Sequence, residues 1–148
     1  NTLFDVYDPG HHKKHDDTAI IAKVHCMGRK ETKDAIDKAS AALPTWKDGT
    51  TAQHRSNILT KWSTLIKENS EDIATIITFE SGKPLHESRG EVVYGTSFLD
   101  YFAAEAIRPS CAGGGYMVPS PFTDASSGAP RGKMMAIHEA VGVCGLIT

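Results

Sequence analysis

The 148-residue sequence is short of cysteine, of long hydrophobic runs and of surplus positive charge. Its three cysteines, Cys26, Cys111 and Cys144, are odd in number and include no CxxC pair, which argues against a disulfide framework or a zinc knuckle. No stretch approaches the roughly 18 to 20 apolar residues of a membrane-spanning helix. With 16 Lys and Arg against 18 Asp and Glu, the chain lacks the basic surplus of a nucleic-acid binder. We therefore expect no membrane span and no nucleic-acid partner.

The remaining composition is typical of a globular protein, with 40% hydrophobic and 23% charged residues. The length suits one ordinary domain with a sizeable core. Because free thiols favour a reducing compartment, we expect the cytoplasm or the mitochondrial matrix.

The first half of the sequence predicts a hairpin and two helices. Apolar runs at Leu3–Tyr7 and 19–25 indicate two strands with a long polar loop between them. Helical spacing begins at Glu31 and should end at Pro44, which cannot continue the hydrogen-bond ladder. A second helix should follow a capping box at 50–53. Its apolar stripe is the strongest local signal and comprises Ile58, Leu59, Trp62, Leu65 and Ile66.

Two more helices are predicted before residue 109. The third begins at an N-cap at Ser70 and ends at Gly82, since glycine accepts the left-handed conformation that ends many helices. The fourth covers 85–107 and has apolar residues on too many sides for one face, so it should be largely buried. Gly90 and Gly95 each cost about 1 kcal/mol there relative to alanine, which favours close approach of another backbone.

The last quarter carries few charges and should be more buried than the rest. Runs at 116–118 and 134–138 predict two strands joined by a connection rich in Pro, Ser and Gly. Residues 141–148 are apolar without alternation, as in a strand buried on both faces of a parallel sheet. Such a strand needs neighbours and crossover helices. We therefore expect an incomplete fold, with 109–148 covered by other protein.

Several groups of residues carry types that bind metals or phosphates. The glycines at 113–115 and the run 128–133 fail as phosphate loops, because no helix follows the first and the second misses the Walker spacing. A solvated loop is the favoured interpretation of the one segment rich in metal-ligand types. Its candidate ligands are His11, His12, His15, Asp16 and Asp17.

Nucleophile and passage candidates also have plain structural alternatives. Cys144 has apolar neighbours that predict an inert core thiol, and Cys111 has no His or carboxylate beside it. Tyr94 and Phe98 lie at helical spacing and could line an apolar substrate passage, against the alternative of ordinary core packing. These patterns assign no catalytic residue and no metal site.

Several runs, in one order, carry a resemblance to a known family. Residues 78–85 are TFESGKPL, 87–95 are ESRGEVVYG and 97–102 are SFLDYF, with AALPTW at 41–46, VPSP at 118–121 and AVGVCGLIT at 140–148. Together they strongly resemble the aldehyde dehydrogenase superfamily, and within it the succinate-semialdehyde dehydrogenases. The similarity covers nearly the whole chain.

The resemblance implies an α/β fold that is the N-terminal part of an aldehyde dehydrogenase-like fold. Residues 1–108 would supply the β-hairpin and four helices of the cofactor-binding domain, and 109–140 an oligomerisation-type β-hairpin. Residues 141–148 would be the first strand of a Rossmann-type sheet, and the rest of that sheet would lie outside this sequence. A homo-oligomeric parent enzyme is also implied.

The same resemblance implies NAD or NADP as the cofactor, with Ile147 and Thr148 touching it at the end of the first Rossmann strand. Tyr94 and Phe98 fall on the helix that lines the aldehyde entrance in relatives. The family's nucleophilic cysteine and general-base glutamate have no counterpart in this chain, so no catalytic residue is expected here.

Two functions stay open at this point. The chain is the N-terminal segment of an NAD(P)-dependent aldehyde dehydrogenase acting on succinate semialdehyde or a similar small aldehyde, and is not catalytic on its own. Alternatively, it is a non-catalytic structural or interaction subunit whose open strand edges are covered by a partner.

Overall fold

The computed structural model of the chain describes residues 2–11, 19–110, 114–129 and 131–147. In these ranges, helices in the middle of the chain are flanked by two small sheets, as the sequence predicts. None of the described helices is long and apolar enough to cross a bilayer. The elements, in chain order, are β1 (Leu3–Tyr7), β2 (Ile20–His25), α1 (Arg29–Gly49), α2 (Ala52–Glu68), α3 (Ser70–Ser81), α4 (Leu85–Ala106), β3 (Gly115–Pro119) and β4 (Lys133–Ile137).

Strands β1 and β2 form the predicted antiparallel hairpin. Their register runs from Leu3 opposite His25 to Tyr7 opposite Ile20. The loop between them includes residues 12–18, which lie outside the described ranges. The candidate metal ligands other than His11 fall in that segment, so the metal alternative stays untested.

Helix α1 continues through Pro44 to Gly49, and the predicted end at the proline is wrong. Pro44 removes one backbone donor, which leaves the carbonyl of Ser40 without its helical partner. Helix α1 has no buried residue. Water can therefore reach that carbonyl, and the exposed helix tolerates the proline. At the other end, the Glu31 carboxylate accepts a 2.9 Å bond from the Gly28 N–H and lies in the favourable field of the helix N-terminus.

The caps of α2 and α3 lie within one residue of the predicted positions. Helix α2 is capped by Thr51 and not by Thr50, because the Thr51 hydroxyl accepts from the His54 N–H at 3.1 Å. The N-cap of helix α3 is Asn69, one residue before the predicted cap at Ser70. Its end is as predicted, with Gly82 in the left-handed region at φ 74°.

The interior of the helical region consists of small side chains. Helix α4 packs against both α2 and α3, and the two largest side chains buried to less than 2% exposure are serines. Small residues at a helix contact permit short distances between the helix axes. Apart from Ala19, every buried residue of the described ranges lies on these helices: Ser56, Ser63, Ala74, Ser88, Val92, Thr96 and Ala103.

Hydroxyl groups bond across this interior. The Ser56 hydroxyl donates to the Ala103 carbonyl at 2.7 Å, and the Ser63 hydroxyl donates to an Asp100 carboxylate oxygen at 2.6 Å. A typical internal hydrogen bond adds about 0.5–1.5 kcal/mol to stability, and a donor left unbonded by mutation of its partner costs more. Among the described residues, no buried side-chain N or O atom lacks a partner.

The apolar stripe predicted for α2 is only partly buried. Leu59 and Ile66 are half-buried beside the two buried serines of α2, whereas Ile58, Trp62 and Leu65 are exposed. The face of α2 that contacts α4 is therefore centred on Ser56 and Ser63 and offset from the apolar stripe.

Helix α4 is largely exposed, and the prediction that it is largely buried is wrong. Only Ser88, Val92, Thr96 and Ala103 of this helix are buried, on the one face that meets α2 and α3. A β-carbon placed on Gly90 or Gly95 would meet nothing within 4 Å in the described structure. The close backbone approach predicted at these glycines is therefore not made by any described residue of this chain.

The C-terminal quarter contains the second predicted hairpin. Strands β3 and β4 pair antiparallel from Gly115 opposite Ile137 to Pro119 opposite Lys133. The prediction that this quarter is more buried is wrong, since both strands are largely exposed.

Residues 141–147 form no strand in the structure, although a buried strand is predicted there. Val141 and Leu146 are 90% and 87% exposed. A strand exists only where a neighbour completes its hydrogen-bond ladder, and the described strands pair only as β1 with β2 and β3 with β4. The core thiol predicted at Cys144 is exposed for the same reason.

The loop between β3 and β4 is ordered around one carboxylate. Asp124 accepts backbone bonds from Ser126 and Ser127 at 3.0 and 3.1 Å and a further bond from the Ser126 hydroxyl. These bonds favour the charged form and lower the pKa of Asp124 to about 2, with the Ser126 hydroxyl making the largest contribution.

Replacing Gly82 should destabilise the 148-residue chain. In Gly82→Ala the left-handed φ costs about 1–2 kcal/mol, and the new β-carbon would lie 3.1 Å from Pro9 Cγ. The matched control is Gly90→Ala, in open space within a helix, which should stabilise the chain by about 0.5–1 kcal/mol. Denaturant unfolding measures both, and equal effects of the two substitutions would contradict this account.

The Asp124 loop predicts a pH effect of known sign. Because the folded pKa of about 2 is below the unfolded value near 3.8, the carboxylate stabilises the loop above pH ~4, and this contribution is lost as pH falls through ~2. Ser126→Ala should raise the pKa of Asp124 toward 3.8 in a carboxyl-carbon NMR titration. Ser120→Ala, at the other end of the loop, serves as the control and should leave that pKa unchanged.

Candidate functional site

The exposed side of α4 carries an aromatic face, defined here as Tyr94, Phe98, Tyr101 and Phe102. At 100° per residue, Tyr94, Phe98 and Tyr101 lie opposite the buried face of the helix. Tyr94 and Phe98, one turn apart, are 66% and 46% exposed. The helix places these large side chains outward because small residues already fill its contact with α2 and α3.

The rings of the aromatic face pack edge to face. The centroids of Tyr94 and Phe98 are 4.9 Å apart with planes at 83°, and those of Tyr101 and Phe102 are 5.2 Å apart at 85°. This geometry is favourable for aromatic pairs and holds each ring in a defined orientation. A depression of about 330 Å³ beside Tyr101 and Phe102 extends the surface toward Glu105. The structure thus brings Tyr94 and Phe98 together, as the passage hypothesis requires, but on an open surface.

The aromatic face can bind an apolar ligand and exclude water from it, but its only reactive groups are two phenols. Within the described ranges, no group of three or more His, Cys, Asp or Glu side chains could hold a metal ion. Cys144, on the irregular segment 141–147, is exposed, and its thiol lies 3.8 Å from the Gly142 carbonyl.

The two predicted cofactor contacts lie at the end of the chain. Ile147 is 101% exposed and belongs to no strand, and Thr148 lies outside the described residues. Gly114 precedes β3, Gly115 is its first residue, and Gly128 lies in the β3–β4 loop, so among the described residues no helix N-terminus follows these glycines to receive a phosphate. These glycines therefore supply no phosphate loop of the dinucleotide-binding kind.

A second concave surface was not anticipated from the sequence. It has a volume of about 480 Å³ and lies where the end of α1 and the start of α2 meet the end of β4. There the Arg55 guanidinium donates to the Thr50 carbonyl at 2.7 Å and to its hydroxyl at 2.9 Å. His138 Nδ1 lies 2.7 Å from the Ser110 carbonyl. Lysine, aspartate and glutamate side chains also line it, so its charges are mixed, and only tertiary structure brings these distant residues together.

A carboxylate with two donors also lies between α2 and α4. Asp100 accepts from the Lys67 ammonium at 2.6 Å and from the buried Ser63 hydroxyl. The Lys67 bond, followed by the Ser63 bond, lowers the pKa of Asp100. Asp100 was not anticipated from the sequence, although Ser63 and Lys67 are spaced i, i+4 on one helix face and so could share a partner.

Comparison with known proteins places this arrangement in a family. The sequence-family model described as "Aldehyde dehydrogenase family" matches residues 2–148 of the chain. The mitochondrial succinate-semialdehyde dehydrogenase of Arabidopsis thaliana is 40% identical over 129 residues, which are 87% of this chain and 22% of that protein. Succinate-semialdehyde dehydrogenase (NADP(+)) 1 of Schizosaccharomyces pombe is 37% identical over 146 residues, 98% of this chain and 26% of that protein.

Solved structures agree. The crystal structure of succinate-semialdehyde dehydrogenase from Burkholderia pseudomallei superimposes with a TM-score of 0.67 at 37% identity, covering 82% of this chain and 23% of the other. The chain thus spans about a quarter of the length of the relatives it matches. The predicted α/β fold class, as the N-terminal part of this fold, is confirmed. With residues 2–148 matched and the fold shared, the chain belongs to the aldehyde dehydrogenase family.

Proposed function

We propose that this chain forms the N-terminal part of an NAD(P)-dependent aldehyde dehydrogenase that oxidises succinate semialdehyde, or a similar small aldehyde, to the acid. The observation that carries the proposal is 37–40% identity, over most of the chain, to relatives named as succinate-semialdehyde dehydrogenases. Because the chain spans about a quarter of those relatives, we assign the activity to the complete protein and not to these 148 residues alone.

Such an oxidation needs a thiolate that attacks the aldehyde, an oxyanion pocket, a hydride acceptor and a base that activates water. A bound nicotinamide supplies the hydride acceptor. We assign the thiolate, the oxyanion pocket and the base to residues outside this chain. The contribution of this chain is therefore to bind and to position.

Tyr94 and Phe98 are proposed as one wall of the aldehyde passage. Their support is an exposed edge-to-face ring pair on a helix that is held firmly from its opposite side. Two rigid rings present an apolar surface at low entropic cost and exclude water beside a reacting carbonyl. Ile147 and Thr148 are proposed as cofactor contacts once residues 141–148 pair into a larger parallel sheet, since ligands of such sheets bind at the carboxyl ends of strands.

We also propose that the β3–β4 hairpin, within residues 109–140, takes part in oligomerisation, and that residues 109–148 are covered by other protein. The support is exposed apolar surface, including Met135 at 71% exposure and Leu146 at 87%. Open edges of a two-stranded sheet also favour pairing with further strands. We place the protein in the cytoplasm or the mitochondrial matrix, consistent with the mitochondrial location named for the Arabidopsis thaliana relative.

The same exposed surface supports a second candidate, a non-catalytic structural subunit covered by a partner. The intact mass of the protein from its source separates the two. A mass several times 16.0 kDa favours the enzyme, whereas a mass near 16.0 kDa in a stable complex favours the subunit.

Activity is the direct test of the proposed function. The protein isolated from its source should reduce NAD⁺ or NADP⁺ in the presence of succinate semialdehyde, measured by the absorbance of the reduced nicotinamide. The 148-residue chain alone should show no such reaction, because the attacking thiolate and the base are assigned elsewhere. Aldehyde oxidation by the short chain would contradict this assignment.

The passage assignment predicts a substrate effect. In the complete enzyme, Phe98→Ala should raise KM for succinate semialdehyde by about 3–10-fold, since a lost aromatic contact is worth about 0.5–1.5 kcal/mol. Val93→Ala is the matched control, because Val93 lies on the same helix, is exposed at 70% against 46% for Phe98, and is outside the aromatic face. Identical kinetics in the wild type and Phe98→Ala would remove Phe98 from the passage.

A further inference from the structure

Helix α2 holds α4 through two buried serines spaced by two helical turns. Ser56 donates to the backbone of α4 at Ala103, and Ser63 donates to a side chain of α4 at Asp100. Ser56 and Ser63 are 6% and 1% exposed, so their hydroxyls have little access to water. A buried hydroxyl that loses its acceptor pays a desolvation cost, which makes both contacts specific in position.

The two contacts constrain different motions of α4. The bond from Ser56 to the Ala103 carbonyl resists sliding of α2 along the axis of α4, because backbone carbonyls lie close to the helix axis. The bond to Asp100 involves a side chain that projects from α4, so it resists rotation of α4 about its own axis. Lys67, one turn after Ser63, grips the second carboxylate oxygen at 2.6 Å from the same helix.

Asp100 lies on the edge of the buried face, and the aromatic face lies on the far side of the same helix. Phe98 is two residues earlier, about 200° around the helix, and Tyr94 is six residues earlier. Ring atoms on the outside of a helix are roughly 6 Å from its axis. A rotation of about 20° would therefore move the rings by roughly 2 Å.

We propose that Asp100 is a positioning residue for the substrate passage: its bond to the buried Ser63 hydroxyl fixes the rotation of α4 and thereby the place of Tyr94 and Phe98. This inference rests on the proposed function, in which those rings line the aldehyde passage. Asp100 does not contact the aldehyde, and it acts through the helix that carries the rings.

A second interhelical ion pair on α4 provides a contrast. Arg89 of α4 donates to both carboxylate oxygens of Glu71 on α3, at 2.8–3.1 Å. Both side chains are at least half exposed, and those of Lys67 and Asp100 are similarly exposed at 53% and 49%. The difference is that the buried Ser63 hydroxyl bonds to Asp100, whereas no buried hydroxyl of the described residues bonds to Glu71. An exposed ion pair by itself contributes little, so Glu71, which has no buried donor, should not control the rotation of α4.

The experiment uses the complete enzyme and compares Asp100→Ala, Asp100→Asn and the control Glu71→Gln. Asp100→Ala should raise KM for the aldehyde by roughly threefold or more, as expected for residues coupled through packing. Asp100→Asn keeps an oxygen that can accept from Ser63 and should restore most of the wild-type KM. Glu71→Gln should leave KM unchanged. Because KM does not depend on the concentration of active enzyme, partial unfolding of a variant does not imitate this result.

A double-mutant cycle isolates the route through the rings. In the background of Phe98→Ala, the effect of Asp100→Ala on KM should be much smaller than in the wild type. If Asp100→Ala does not fold, Ser63→Ala removes the same bond and should give the same coupling. Unchanged KM in these variants, or additive effects with Phe98→Ala, overturns the positioning role while wild-type activity upholds the enzyme assignment. A wild-type protein inactive on aldehydes overturns the proposed function itself, and the positioning role with it.

Discussion

The contact between α2, α3 and α4 is the constraint on which the rest of the structure depends. Its interior is filled by serine, alanine, threonine and a single valine, and its specificity comes from hydroxyl groups that find acceptors on the neighbouring helix. Small side chains let the helices pack closely but bury little apolar area. Stability must therefore come in large part from dense packing and satisfied hydrogen bonds, together with whatever covers the outer faces.

That choice of interior decides where the large apolar side chains go. With the helix contacts occupied by small residues, Trp62 on α2 and the aromatic face of α4 point outward, and the two hairpins expose further apolar residues. Exposed apolar residues grouped in this way favour contact with protein or ligand. The chain matches about a quarter of each compared relative, which agrees with this pattern. The helices bury the faces that contact one another and leave their other faces exposed.

Local sequence rules predicted most of the secondary-structure elements, but they predicted burial poorly. The hairpins, the order of the helices and the left-handed end of α3 at Gly82 follow from turn chemistry and periodicity. The end of α1 predicted at Pro44 was wrong because an exposed helix can tolerate the loss of one hydrogen bond. The predicted burial of α4 failed because periodicity finds apolar residues without saying which partner covers them, while serine and alanine at the true contact give no hydropathy signal.

For the candidate site, the sequence by itself determined the residue types of the aromatic face and their helical spacing, because side-chain chemistry and the 3.6-residue period are local properties. The tertiary structure decided which way that face points, and it revealed the bond between Ser63 and Asp100 across 37 residues of sequence. It also decided that residues 141–147 are not a strand in this chain, since a strand is defined by a neighbour and no local pattern can supply one.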